Sequence, residues 1–223
     1  MRIVLTVLVA AGLLTVGGVP SASPAGAEPG DTCPPACDRI PASAWITPSA
    51  IPLDSRFDWP QLSQLAVAAP APRFRFEELC ASPSTVGDPR TYAVAERATV
   101  VRSEGQWQLQ AQIVHWRGET WRGGQLVQES FAAAVAALRN CQSTNPTASP
   151  SLTLDEPLRI AAAVSGPMVL HEYLLADPVS STITELSLWT AGPSASPWPA
   201  VSDAAVLDAL GLPLCTAYIG SCP

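Results

Sequence analysis

From Gln106 to Trp116 the side chains alternate almost without interruption, with Trp107, Leu109, Ala111 and Ile113 on one side and Gln106, Gln108, Gln110 and Gln112 on the other. Successive strand residues point to opposite faces, so this period of two marks a β-strand with one face in a core and a glutamine face toward water. A strand buried on one side only belongs in an antiparallel sheet. The β-rich stretch Tyr92–Val101 precedes it across the turn Ser103-Glu104-Gly105, and the two form a hairpin. The period then changes. Val127, Phe131, Ala134, Val135, Leu138 and Cys141 fall at i, i+4, i+7, i+8, i+11 and i+14, a single stripe on one helix. Glu129 near its start and Arg139 near its end suit the helix dipole.

Residues 142–151 read as a polar, proline-containing loop, followed by strands over 158–164, 168–176 and 181–190, the last two joined around Asp177-Pro178. A closing helix is signalled by Ser202 as N-cap, Asp203 in the first turn and Gly211 as terminator. Strands followed by a helix, twice over, look like a loose duplication of one unit. Ahead of it, residues 38–79 carry short helical signals broken by Pro48, Pro52, Pro60, Pro70 and Pro72, an irregular N-terminal layer. The expected fold is a single α+β domain, a mostly antiparallel sheet with packed helices.

Export is predicted from the other end of the chain. Met1-Arg2, an apolar run from Ile3 to Val19 and the small residues Ala25-Gly26-Ala27 have the layout of a secretory signal peptide over 1–27. A flexible, proline-rich leader over 28–40 and a domain over 41–223 follow. Beyond Ala27 the longest uncharged apolar run, Ile160 to Leu170, is too short to span a bilayer. The six cysteines, Cys33, Cys37, Cys80, Cys141, Cys215 and Cys222, are an even set in an exported chain and read as three disulfides. Local spacing suggests Cys33 with Cys37 and Cys215 with Cys222, leaving Cys80 with Cys141 to close a loop of about 60 residues. Cys33-Pro-Pro-Ala-Cys37 lacks the C-x-x-C spacing of a redox pair and reads as a staple.

Charge excludes further classes. The chain has no lysine, and its 12 basic residues, all arginine, face 19 acids. After Asn140 only Arg159 is basic. Neither nucleic acid nor an anionic membrane surface finds the basic footprint it needs.

The block Trp45-Ile46-Thr47-Pro48-Ser49-Ala50-Ile51-Pro52, then Trp59-Pro60, then Phe76-Glu77-Glu78-Leu79-Cys80, a hairpin, and a helix from Phe131 to Asn140-Cys141 resembles the PknH-like extracellular sensor domains of actinobacterial secreted proteins. The likeness spans most of residues 40–222 and rests on layout and cysteine placement. It implies a disulfide-stapled α+β domain that binds an extracellular ligand in a cleft. Unlike the receptor form, this chain has no kinase motif.

Catalytic chemistry finds little support. His115 ends the alternating strand, on the inward register, with no G-x-S-x-G elbow anywhere after residue 27 to supply a nucleophile. It reads as a hydrogen-bonded strand-end histidine. His171-Glu172 opens like a zincin helix, but Leu175 stands where the second histidine belongs. Glu77-Glu78, Asp155-Glu156, Glu104 and Glu119 are carboxylates of the type a glycosidase pairs. The distinctive feature is Trp116-Arg117-Gly118-Glu119-Thr120-Trp121-Arg122-Gly123, where W-R-G recurs at a spacing of five. Two indoles and two guanidinium forks on a glycine-hinged loop suit a sugar, an aromatic ring or a carboxylate.

The expected function is therefore a secreted, non-enzymatic, sensor-like binding domain without cofactor or metal. Its candidate ligand-binding residues are Trp116, Arg117, Trp121, Arg122 and His115. Its partner is a small molecule or cell-envelope component, with a protein partner or a carboxylate-dependent hydrolase as alternatives.

Overall fold

The structure, a computed structural model, describes residues 32–192 and 194–221. The predicted signal peptide over 1–27, the first residues of the predicted leader and Cys222 lie outside the described residues. Short helices α1 (Asp54–Phe57) and α2 (Leu62–Leu65) open the chain, followed by β1 (Val67–Ala68), α3 (Arg75–Leu79), β2 (Val94–Val100) and β3 (Gln108–His115). A long helix α4 (Thr120–Arg139) and a single turn α5 (Cys141–Thr144) lead into β4 (Ser149–Glu156), β5 (Arg159–Ser165), β6 (Met168–Asp177), β7 (Thr182–Ala191) and the closing α6 (Asp203–Ala217). The fold is single-domain α+β. One antiparallel sheet runs in the order β1-β2-β3-β7-β6-β5-β4, so the predicted hairpin joins the β4–β7 meander by pairing β3 with β7.

Both faces of this sheet are covered. Leu109, Ala111 and Ile113 of β3, with Leu186 and Leu188 of β7 and Tyr173 of β6, meet Leu207, Leu210 and Leu214 of α6 and Trp45, Trp59 and Leu62 of the N-terminal layer. On the other face Val114, Leu170, Leu174 and Ile183 pack against Phe74, Phe76 and the α4 stripe Val127, Phe131, Ala134 and Leu138. That stripe is the one the helical period predicts. Two sheet faces of buried aliphatic and aromatic side chains are the main stabilising term, at about 25 cal/mol per Å² of apolar surface removed from water.

The disulfides match the local-spacing scheme where they are described. Cys33 bonds Cys37, and Cys80 bonds Cys141 across 61 residues, tying the end of α3 to the start of α5. Cys215 is disulfide-bonded as well.

Several expectations need correction. The strand β3 is not half-buried: Gln110 and Gln112 are buried too, because α3 and the segment before it lie over the glutamine face. Residues 149–156, where the sequence reads as loop over 149–151 and signals no element beyond, form β4, where Leu152 and Leu154 alternate with exposed neighbours. Helix α4 starts seven residues before Val127, and α6 runs through Gly211 and Pro213 to Ala217, held by Leu210, Leu214 and Ala217 against the sheet. The leader is not loose from Thr32 onward. The Cys33 amide donates to the Ala217 carbonyl at 2.8 Å and its own carbonyl accepts from Ile219 at 3.1 Å, so the segment is laced to the end of α6.

Candidate functional site

Helix α4 shows a second stripe, away from the sheet. Arg122, Leu126, Glu129, Ala133 and Ala137 recur every three or four residues on one face. The segment from Ser82 to Tyr92 runs past this face, and the space between them is a groove with two compartments. The first, of about 630 Å³, is lined by Tyr92, Trp116, Arg117, Glu119, Arg122 and Glu129 among others. The second, of about 360 Å³, has a floor of Ala133, Ala134 and Ala137 and walls that include Ser82, Asp88, Arg90 and Ser130. Pro89 and Glu129 border both, so the compartments adjoin along the helix.

The wall of the second compartment is rigid and charged. Arg90 holds Glu77 through two bonds, Nη1 to Oε2 at 2.7 Å and Nη2 to Oε1 at 2.9 Å, and donates to Asp88 through Nη2 at 2.6 Å. Burial alone lowers the Arg90 guanidinium, but its bonds to Asp88 and Glu77 outweigh that and hold its pKa above the ordinary value. Burial likewise works against ionised Asp88, and Arg90 reverses the balance, leaving its pKa lowered. Glu77 also accepts the Phe74 amide at 2.8 Å at the start of α3. Ser82 and Ser130 are buried, and neither hydroxyl has a hydrogen-bond partner. An unpaired buried hydroxyl costs stability unless something supplies the missing bond.

The five candidate residues separate. Arg117 and Arg122 are exposed, line the same compartment and form no ion pair with a described residue. Trp116 is buried and donates its indole N–H to the Pro89 carbonyl at 3.1 Å, so it holds the loop in place from below. Trp121 is 65% exposed and does not line the compartment. His115 lines neither compartment. Its ring stacks on Tyr218 with centroids 4.6 Å apart, Nε2 lies 3.0 Å from the Cys37 carbonyl and Nδ1 2.9 Å from Thr182 Oγ1. Burial lowers its pKa.

The glycines are not hinges. Gly123 and Gly124 lie in the first turns of α4, where a Cβ on Gly123 would meet Ser181 Oγ at 2.3 Å and one on Gly124 the Pro178 carbonyl oxygen at 2.7 Å. Their lack of side chains lets the helix start sit directly on the β6–β7 turn. Gly118, with φ of +98°, makes the turn that separates the two W-R-G units.

Sequence reasoning missed a buried polar ladder on the α4 face of the sheet. Register aligns Arg97, Gln112 and Glu185 across β2, β3 and β7, and Gln110, Ser187 and Glu172 across β3, β7 and β6. Arg97 Nε donates to Gln112 Oε1 at 2.9 Å, and Gln110 Nε2 to Glu185 Oε2 at 3.2 Å. The Arg75 amide donates to Glu185, and Arg97 Nη2 donates to the Arg73 carbonyl at 2.7 Å, so the start of α3 docks on the ladder. Ser187 Oγ lies 2.6 Å from Glu172 Oε2 and 3.1 Å from Glu185 Oε1. One hydroxyl proton serves one carboxylate, so the second contact is satisfied when Glu172 carries a proton. Burial, then the charge of Glu185, raises the Glu172 pKa well above the ordinary range. The signal was present: Glu172 and Glu185 fall on the same strand faces as Leu174 and Ile183 and are the acids in the middle of their strands.

Most of the other residues singled out by type have partners of their own. Of the carboxylates singled out by type, Glu77 pairs with Arg90, Glu78 with Arg75, Asp155 with Arg139 and Glu156 with Arg159. His171 stacks on Trp198 at 3.6 Å, and burial lowers its pKa to about 4. Among the described residues no three His, Cys, Asp or Glu side chains are grouped to share a metal ion, and no helix is long and apolar enough to cross a membrane. No protein family, no curated protein and no solved structure matches this chain.

Proposed function

We propose that the protein is a secreted, non-enzymatic ligand-binding domain of the sensor-like kind, and that the groove along α4 is its binding site. The observation that carries the reading is the composition of this groove. It combines an alanine floor, two buried hydroxyls without partners and two exposed guanidinium groups without ion pairs, held on a scaffold fixed by Arg90, Trp116 and the Cys80–Cys141 bond. Concave apolar surface with a few convergent polar groups is the usual form of a small-molecule site. The predicted signal peptide and the disulfides support an extracellular place of action. The resemblance to PknH-like sensor domains supports a cleft-binding role, and this reading makes the α4 groove that cleft.

The alternative of a carboxylate-dependent hydrolase is weaker. Four of its six candidate acids are engaged in ion pairs, and the buried Glu172–Glu185 pair is covered by α3.

The reading is tested by mapping amide chemical shifts while small-molecule mixtures extracted from culture medium are titrated in. Shifts gathered on Arg122, Glu129, Ser130 and Ala133 are expected. Reproducible saturable shifts elsewhere, with these four unmoved, would place the site on another surface.

A further inference from the structure

Resting on the groove as the binding site, we infer that its ligand class is a short extended peptide with small side chains and a free C-terminal carboxylate held by Arg117 and Arg122. Three observations carry this. The first is charge polarity. Arg117 and Arg122 stand at one end with their forks unpaired, whereas the charge of Arg90 at the other end is already met by two carboxylates, Glu77 and Asp88. An anionic group therefore belongs in the first compartment, where a guanidinium fork matches a carboxylate's geometry.

The second is the mixture of signs. Glu119 and Glu129 line the same compartment as the two arginines, so the site offers hydrogen-bond acceptors beside its donors and suits a ligand that brings both. A peptide does, because its amide N–H groups need acceptors while its carbonyls and terminus need donors. The buried hydroxyls of Ser82 and Ser130 can serve either need.

The third is shape. The floor of the second compartment is made of alanine methyl groups and its lining has no aromatic ring on which a sugar could stack, so it suits small aliphatic side chains. From Arg122 to Ala133 is eleven residues of α4, about 16 Å at 1.5 Å per residue. An extended peptide of about five residues spans that distance.

The test uses pentaalanine with a free carboxylate, the same peptide as its C-terminal amide, and the neutral sugar chitotetraose, each titrated into the disulfide-intact protein and followed by amide chemical shifts. The free acid is expected to bind in the groove, and the amide at least tenfold more weakly. Arg117→Ala with Arg122→Ala removes the difference between acid and amide, and Ala133→Trp, placed at an exposed helix position, abolishes both. Equal affinity for acid and amide in the wild-type protein overturns the proposal without relying on any variant. Groove binding by chitotetraose in place of the peptide overturns the peptide class and leaves the groove standing. Silence of the groove toward all three probes refutes the peptide class, and the groove reading then fails separately if extracted ligands shift residues elsewhere.

Discussion

At the residue scale the two tryptophans of the repeated W-R-G unit have opposite roles, although the same Arg-Gly pair follows each of them. Trp116→Ala removes a buried ring and its bond to Pro89, and should cost about 3–5 kcal/mol. Trp121→Ala removes an exposed ring and should leave the melting temperature within about 2 °C of wild type. Thermal unfolding of the two single variants checks this. The glutamine face of β3 was legible as polar but not as buried, since the groups that satisfy it are the Arg73 carbonyl, the Arg97 guanidinium of β2 and Glu185 of β7, none of them near in sequence. Glu172 gives the ladder a measurable sign. Its folded pKa lies above its unfolded value, so the folded state holds a proton that the unfolded chain releases. Its contribution is therefore fully present below the unfolded pKa of about 4.5 and is lost as pH rises toward the folded pKa. Glu172→Gln, which keeps the neutral shape, should raise the melting temperature at pH 8 and change it little at pH 4. A wild-type-like slope of stability against pH in this variant would remove Glu172 as the cause.

At the element scale the helix stripe on α4 and the β2–β3 hairpin were readable because each repeats a strict period over many residues. Strand β4 was not. Its alternation rests on Leu152 and Leu154 alone, between prolines and polar residues, and it is fixed by pairing with β5 and by packing of these two leucines against the two cores. The start of α4 was hidden for a different reason. Gly123-Gly124 is a poor helix sequence, yet the close approach to Pro178 and Ser181 requires it. Gly124→Ala gains about 1 kcal/mol of helix propensity. The new methyl overpacks the Pro178 carbonyl, which should cost about 1–3 kcal/mol and, being against backbone, cannot be relieved by a rotamer change. The net expectation is a lower melting temperature, while Gln125→Ala on the exposed side of the same helix should lie within about 0.5 kcal/mol of wild type. A stabilised Gly124→Ala protein would show that the helix and the β6–β7 turn can separate.

At the scale of the whole molecule the chain is a two-sided sheet whose α4 face also carries the groove. Periodicity pointed to an antiparallel sheet with packed helices, but it could not reveal that both faces are covered or that Ser82–Tyr92 would lie along α4. That juxtaposition depends on α3 being stapled to α5 through Cys80–Cys141 and docked on the ladder through Arg75. Closing a 61-residue separation is worth about 4 kcal/mol in loop entropy, so Cys80→Ala with Cys141→Ala should destabilise by that order in denaturant unfolding. It should also weaken ligand binding before it unfolds the sheet. The central claim, that the exported protein carries a ligand in the α4 groove, is tested most directly by native mass spectrometry of protein recovered from culture medium without reduction. A stoichiometric adduct on the wild-type protein that is missing from Ala133→Trp is the predicted result. An adduct equally present on both proteins would contradict it.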